Sequence, residues 1–317
     1  MSISRRFGRR AAAVLAIGAL TATLAVPQAT AQPQAPTDKT APVVVGAFDF
    51  TESRVLAELY AGALRAAGIP ATVRQSTNRE RLAPALIAGR VDVVPEYLGT
   101  FTEYLNRRAN GADAVVVASN RPVATLRAGR ALARPVDLRL LTPSKAEDVN
   151  AFAVTRAFSS TTGVTTLSQL AAWSQANSLR LGGPEECPTR PFCQVGLERV
   201  YGLSVGSFVP LDAGGPLTRQ ALADGSIDVG VVFSSDAGVA EQDLVVLVDD
   251  RRLQNVDTIV PAIRADAASR AVVKALDRLS AALTTAELTQ LNRAVEFERE
   301  EPRDVARAYL VREGIVR

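Results

Sequence analysis

Short apolar runs alternate with amphipathic stretches along the first part of the chain, a pattern typical of a buried sheet covered by helices. Residues 43–46 form the first apolar run. A helix is predicted to begin at Thr51, because apolar residues then recur every three or four positions until Gly68. The same pattern predicts strands at 71–74 and 91–94 and a helix at 81–88. This alternation predicts a right-handed parallel α/β unit.

An internal repeat follows the same pattern. Residues 85–93 match residues 221–229, each at an offset of 136 positions, and both copies predict a helix end, a glycine and a strand. At the same offset, Tyr97 aligns with Phe233. Ligands bind beyond the carboxyl ends of strands in open α/β sheets, so two such copies predict a ligand cleft between two lobes. Helix–glycine–strand units are common, and chance similarity is the alternative explanation.

The remaining pattern sets the expected lobe boundaries. A helical stretch at 123–133, strands at 138–141, 151–155 and 244–247, a polar turn at 159–163 and a helix at 165–175 are predicted. The C-terminal third predicts helices at 267–283, 285–298 and 302–313. We therefore predict an α/β fold with one lobe of residues 43–143 and 236–317, a second lobe of residues 144–235, and a double-crossing hinge.

The N-terminus has the pattern of an export signal. Four arginines within the first ten residues precede an apolar stretch from about 11 to 26 and the small-x-small sequence Ala29-Thr30-Ala31. We predict a signal peptide at 1–31, a proline-rich linker at 32–42, and a protein that is soluble in the periplasm or cell envelope after cleavage. Retention as a membrane anchor is the alternative, and the sequence leaves both the Sec and the twin-arginine routes open.

Charge excludes one class of partner. The whole chain has 36 basic and 33 acidic residues, but loss of the four N-terminal arginines leaves 32 basic residues and a net charge of −1. A nearly neutral chain lacks the basic footprint of a nucleic-acid-binding protein. We expect a monomer that binds a small molecule and no nucleic acid.

The reactive residues argue against catalysis. The chain has no histidine and only two cysteines, Cys187 and Cys193. In an oxidising compartment these two are expected to form a disulfide, which removes the thiol nucleophile. Metal binding is the alternative, but two thiols without histidine seldom complete a tetrahedral site. We predict no enzymatic activity, no cofactor and no metal.

Several segments resemble the substrate-binding proteins of ABC importers for quaternary amines and osmoprotectants such as glycine betaine and choline. The resemblance follows the chain in order and is carried by residues 44–53 (VVGAFDFTES), 93–100 (VVPEYLGT), 184–186, 190, 200–203, 244–250 and 260–261. It implies a type II periplasmic-binding-protein fold that closes over a ligand and delivers it to the transmembrane subunits of a permease. A secreted sensor or scaffold that presents its ligand to another membrane partner is the alternative function.

The resemblance also implies the binding residues. Members of the family hold a trimethylammonium group in a box of tyrosines, and a cationic side chain meets the ligand carboxylate. Tyr97 matches a box tyrosine, and Arg190 matches the cation. Phe233, Asn150 and Arg219 stand where further tyrosines are expected. The full predicted set is Phe48, Thr51, Asn78, Tyr97, Thr100, Asp148, Asn150, Arg190, Arg219 and Phe233.

Asn150, Arg219 and Phe233 together decide which ligand the sequence predicts, because two π faces of the box are lost and a cation replaces one of them. A guanidinium within an ammonium box would repel a cation by roughly 3 kcal/mol at 5 Å and an effective dielectric near 20. We therefore expect an aromatic or anionic ligand rather than betaine. The alternative is that Arg219 points to solvent from the start of a helix, which leaves the box only weakened.

Overall fold

The computed structural model describes residues 41–316. The predicted signal peptide and nearly all of the predicted linker lie outside these residues. Within them, no helix has the length and apolar character needed to cross a membrane. The described residues fold into two mixed β-sheets, each covered by helices.

The first sheet contains five strands in the order β2-β1-β3-β10-β4. Their bounds are β1 Val43–Ala47, β2 Ala71–Gln75, β3 Val93–Tyr97, β4 Leu138–Leu140 and β10 Ile259–Arg264. Strands β1, β2 and β3 are parallel, and β10 runs antiparallel to both β3 and β4.

The second sheet repeats this plan in the order β7-β6-β8-β5-β9. Its strands are β5 Asn150–Thr155, β6 Leu179–Pro184, β7 Val205–Leu211, β8 Val229–Phe233 and β9 Leu244–Val246. Strands β6, β7 and β8 are parallel, and β5 runs antiparallel to β8 and β9. In each sheet the antiparallel strand is the first one that the chain forms after it crosses from the other lobe.

Helices of ordinary length cover both sheets, and a few single turns join them. The helices are α1 Thr51–Ala66, α2 Arg79–Ile87, α3 Leu98–Asn110, α4 Pro122–Ala133, α5 Arg156–Thr162, α6 Leu167–Ser174, α7 Gln194–Gly196, α8 Pro216–Ala223, α9 Gly238–Glu241, α10 Arg270–Ala282, α11 Thr285–Glu296 and α12 Pro302–Arg312. The apolar face of α1 is fully buried against the first sheet and the C-terminal helices, so this helix forms the centre of the larger core.

The structure contradicts the predicted lobe boundary at residue 236. Strand β9 pairs with β5, and Leu247 and Leu253 are buried in the core of the second sheet. The chain returns to the first sheet only near Asp257, where the backbone of Asp148 donates a hydrogen bond to the carbonyl of Asp257 at 2.9 Å. The prediction was too early because the repeat ends at residue 233 and gives no signal for a further strand. The polar turn predicted at 159–163 is also wrong, since these residues continue α5 and its glycine cap.

Candidate functional site

A cavity of about 400 Å³ lies between the carboxyl ends of the strands of the two sheets. Tyr97 is the last residue of β3 and Phe233 is the last residue of β8, and both line the cavity. The predicted cleft between the two copies of the repeat is therefore present. Its volume is ordinary for a site that encloses a small ligand.

Four aromatic rings line this cavity. The ring of Phe50 is central, because its centroid lies 6.0 Å from that of Phe48, 6.3 Å from that of Tyr97 and 6.2 Å from that of Phe233. Each of these three rings is inclined by only 14–28° to the ring of Phe50, so its face is nearly parallel to that of Phe50. Three rings come from the first lobe and one comes from the second.

Two acidic side chains, Asp148 and Asp257, line the cavity from the two segments that cross between the lobes. Burial raises the pKa of Asp257 to about 7, although its carboxylate accepts a hydrogen bond from the backbone of Thr100 at 2.9 Å. Burial, and then the charge of Glu52, raise the pKa of Asp148 well above its usual range. A positive charge in the cavity would stabilise the ionised form of both groups.

Glu52 joins the first lobe to the crossing segments. Its carboxyl group accepts hydrogen bonds from the hydroxyl of Tyr97 at 2.9 Å and the amide of Asn292 at 2.8 Å. The Ser235 hydroxyl lies within hydrogen-bonding distance of both Glu52 and Asp148, at 2.6 Å from the latter. One hydroxyl hydrogen cannot serve two carboxylates, so one of these acids carries a proton. Burial raises the pKa of Glu52 in agreement with this arrangement.

A buried ion pair between Arg79 and Glu96 lies next to Tyr97. Arg79 donates to both carboxylate oxygens of Glu96 at 2.9–3.2 Å, and to the hydroxyl of Thr100 at 3.0 Å. Its guanidinium carbon lies 5.7 Å from the centroid of the Phe48 ring. Burial is the largest influence and disfavours the cation, but the charge and hydrogen bonds of Glu96, together with the nearby charges of Asp257 and Glu80, outweigh it and raise the pKa of Arg79. Arg79 is thus compensated within its own lobe.

Arg190 reaches the cavity from a loop that the Cys187–Cys193 disulfide closes, and the predicted pairing of these cysteines is confirmed. Its guanidinium lies 2.9 Å from Glu186 in the same lobe and 3.1 Å from Glu80 in the other. The second of these ion pairs joins the two lobes across the mouth of the cavity.

Most of the predicted binding residues come together around the cavity. Those that line it are Phe48, Asn78, Tyr97, Thr100, Asp148, Asn150, Arg190 and Phe233. The side chain of Asn78 also caps α2 through the backbone of Arg81, and Asn150 donates to the carbonyl of Phe192 at 3.3 Å. Thr51 lies in the first turn of α1 and lines a neighbouring cavity instead.

Arg219 is not where the sequence placed it, and neither expected position is correct. Its side chain is only 2% exposed, and it donates to Asp236 at 2.9 Å, Glu296 at 2.6 Å and the carbonyl of Gly214 at 2.9 Å. It therefore faces neither the aromatic rings nor solvent. Helix α8 directs this side chain toward α11, so it forms an ion pair between the lobes and does not line the cavity.

Among the lining residues that sequence reasoning missed, Phe50, Arg79 and Asp257 contribute most to the chemistry of the cavity. Phe50 lies two positions beyond Phe48 in the loop after β1, and an aromatic pair at this spacing was an available signal. Arg79 directly follows the predicted binding residue Asn78, but neither a repeat nor a periodic pattern marks it. The segment around Asp257 shows neither periodicity nor repeat, so nothing in the sequence marks it.

Comparisons with known proteins agree with this geometry. The chain is 24% identical over 293 residues to the glycine betaine-binding protein YehZ of Escherichia coli K12, which covers 88% of this chain and 93% of YehZ. The crystal structure of a glycine betaine/carnitine/choline ABC transporter protein superposes with a TM-score of 0.64 at 21% identity, covering 86% of this chain and 99% of that chain. Lactococcal OpuAC, closed around glycine betaine, gives 0.61 at 15% identity, covering 86% and 96%.

These superpositions confirm the predicted type II periplasmic-binding-protein fold. The family model described as the substrate binding domain of an ABC-type glycine betaine transport system (OpuAC) matches residues 41–312, which is nearly all of the described chain. A two-lobed fold, an aromatic cleft and this match together show that the chain belongs to the substrate-binding proteins of glycine betaine-type ABC transporters.

Proposed function

We propose that this protein is the extracytoplasmic receptor of an ABC importer and that its ligand is a small organic cation. The two lobes close over the cation, and the closed form delivers it to the permease. The observation that carries the proposal is the cluster of four aromatic rings next to the acidic side chains at the base of the cavity.

The aromatic cluster supports a cation with no hydrogen-bond donors. A quaternary ammonium group cannot donate a hydrogen bond, so a protein recognises it through the negative faces of aromatic rings, each contributing about 0.5–2 kcal/mol when desolvated. Phe48, Phe50 and Phe233 offer rings without a polar group. Tyr97 offers a ring whose hydroxyl is already engaged by Glu52.

The charges around the cavity support the same class. Six carboxyl groups line it, from Asp49, Asp148, Glu185, Glu186, Asp212 and Asp257, against two guanidinium groups, from Arg79 and Arg190. Both guanidiniums are paired with carboxylates. Arg219 was one reason to expect an aromatic or anionic ligand, and its position in an ion pair between the lobes removes the repulsion that this expectation assumed. Asn150 still contributes no ring, and the aromatic surface comes instead from Phe48, Phe50, Tyr97 and Phe233.

Isothermal titration calorimetry with charged and neutral isosteres tests this proposal. Choline and 3,3-dimethylbutan-1-ol have the same shape, but only choline carries a charge. We expect choline to bind at least about tenfold more tightly, because the neutral molecule loses both the cation–π and the carboxylate interactions.

A phenolic acid, such as coumarate, provides the opposing arm of the experiment. Tighter binding of coumarate than of any quaternary amine would overturn the proposed cation. Equal binding of choline and its neutral isostere would also overturn it, because shape alone would then account for recognition.

A further inference from the structure

A second cavity of about 530 Å³ adjoins the first, beside helix α3 and the disulfide loop. The two cavities meet at Arg79, Thr100, Asn150 and Arg190, which line both of them. We call the second cavity the arginine chamber because four guanidinium groups line it, from Arg79, Arg107, Arg108 and Arg190. It therefore differs in charge from the first cavity, where carboxyl groups predominate.

The two acidic residues that line the arginine chamber do not pair with the arginines of α3. Glu103 is buried, and its carboxylate accepts hydrogen bonds from the backbones of Val117 and Ala118, both at 2.6 Å, and from the amide of Asn106 at 3.0 Å. Its charge is therefore directed into the loop after α3. Glu80 is partly exposed and is paired with Arg190.

Arg79 and Arg190 lie at the junction of the two cavities, and each is paired with carboxylates. Burial, and then the charge of Arg79, lower the pKa of the Arg190 guanidinium. The positive charge of the chamber that is left to attract an anion therefore comes from its other two arginines.

Two arginines of α3 retain capacity to bind an anion. Arg108 is exposed and forms no ion pair within residues 41–316. Arg107 donates through Nε to the carbonyl of Ala112 at 3.1 Å, and through Nη1 to the carbonyl of Thr189 at 2.6 Å. Neither of these carbonyl groups carries a charge, so the charge of Arg107 is not compensated by its partners.

The rest of the chamber suits an apolar spacer. The half-buried ring of Tyr104 and the buried ring of Phe192 both line it. Methylene groups that pass from the first cavity toward α3 would lie against these rings rather than in water.

We propose that the arginine chamber binds the terminal anionic group of an elongated zwitterion whose cationic head occupies the aromatic cluster. The inference rests on the proposed function, and it narrows the ligand class to ammonio-carboxylates or ammonio-phosphates with several bonds between the charges. A short zwitterion places both charges within the first cavity, where the anion faces the carboxyl groups.

Calorimetric titration with trimethylammonio-carboxylates having one to five methylene groups between the charges tests the proposal. We expect the affinity to increase by about tenfold from the shortest to the best longer member. Arg108→Gln should weaken the longer members by about three- to fivefold, the size expected for a partly solvated charge pair. The same variant should leave choline binding unchanged, because choline has no anionic group.

Arg127→Gln provides the matched control, since Arg127 is exposed on α4, outside the lining of both cavities, and has the same charge. An equal effect of this control on the longer members would overturn the inference, because long-range charge would then explain the result. Tightest binding of the one-methylene member would also overturn it. The absence of binding by every quaternary amine, choline included, would instead refute the proposed function itself.

Discussion

The two copies of the internal repeat have the same scaffold and different chemistry. Gly89 and Gly225 adopt the same left-handed conformation, with φ of 72° and 73°. The carboxylate of Asp92 accepts a hydrogen bond from the backbone of Val44 at 2.7 Å, and that of Asp228 accepts one from the backbone of Arg180 at 2.8 Å. Val44 and Arg180 are themselves 136 positions apart, so the repeat extends to the neighbouring strand of each sheet.

The copies differ one position before the aromatic ring. In β3 this position is Glu96, which is buried with Arg79, whereas in β8 it is Val232. The first lobe therefore places a charged pair under its ring, and the second lobe places a ring alone. Backbone geometry holds both rings at the cleft, so the side chains that precede them are free to differ.

Breaking the buried pair of the first lobe should have the largest effect on stability. Arg79→Met leaves the carboxylate of Glu96 buried without a partner, which costs about 3–5 kcal/mol of the free energy of unfolding. The repeat offers a matched control in Arg180→Gln, which breaks the ion pair between Arg180 and Asp228. The side chain of Arg180 is 42% exposed, so this substitution should lower the free energy of unfolding by less than about 1 kcal/mol. Urea denaturation measures both.

The double variant Arg79→Met/Glu96→Leu shows whether the cost comes from the orphaned charge. Replacing a buried ion pair by apolar residues of similar size is often neutral, so we expect much of the lost stability to return. Equal losses in Arg79→Met and Arg180→Gln would contradict the difference between the lobes.

The ion pair between the lobes gives the next largest effect. Arg219→Gln leaves Asp236 and Glu296 without their cation, and it removes an ion pair between the second lobe and α11 of the first. We expect the affinity for a quaternary amine to fall by about tenfold, because the closed state becomes less populated. If Arg219 lay among the rings, its removal would instead raise the affinity. Calorimetry therefore distinguishes these two positions of Arg219.

The sequence was sufficient to predict the strands, helices and rings that a repeat or a periodic pattern marks. Tyr97 and Phe233 were found because the same pattern marks both strand ends. Arg219 was misplaced because its position along α8 does not tell which way a long side chain extends, and its partner Glu296 lies 77 positions further on. Asp257 was missed because it comes close to Asp148 only after the chain has crossed twice between the lobes.

Removing one ring from each lobe compares their contributions to binding. Tyr97→Ala and Phe233→Ala should each weaken the binding of choline by about 0.5–2 kcal/mol, the usual range for a single ring face. Tyr97→Phe keeps the ring and removes the hydrogen bond to Glu52, so its effect on affinity should be smaller. Unchanged affinity in Tyr97→Ala would show that the cation lies elsewhere.

The dependence on pH should be the smallest effect, and it comes from the crossing segments rather than from either lobe. The pKa of Asp257 is raised to about 7 in the folded protein, well above the value of about 3.9 in an unfolded chain. The folded state therefore binds more protons between these values. Without ligand, this group lowers the free energy of unfolding as the pH rises from about 4 to 7.

The affinity for a cation should depend on pH in the opposite direction, because a bound cation stabilises the ionised carboxylate of Asp257. The affinity for choline should therefore rise as the pH increases through about 7 and then level off, while that of the neutral isostere should stay flat. Asp257→Asn removes the titrating group and should flatten the choline profile at low affinity. A profile that keeps its slope in this variant would assign the titration to Asp148 or Glu52, whose pKa values burial also raises, and would place the cation nearer to them than to Asp257.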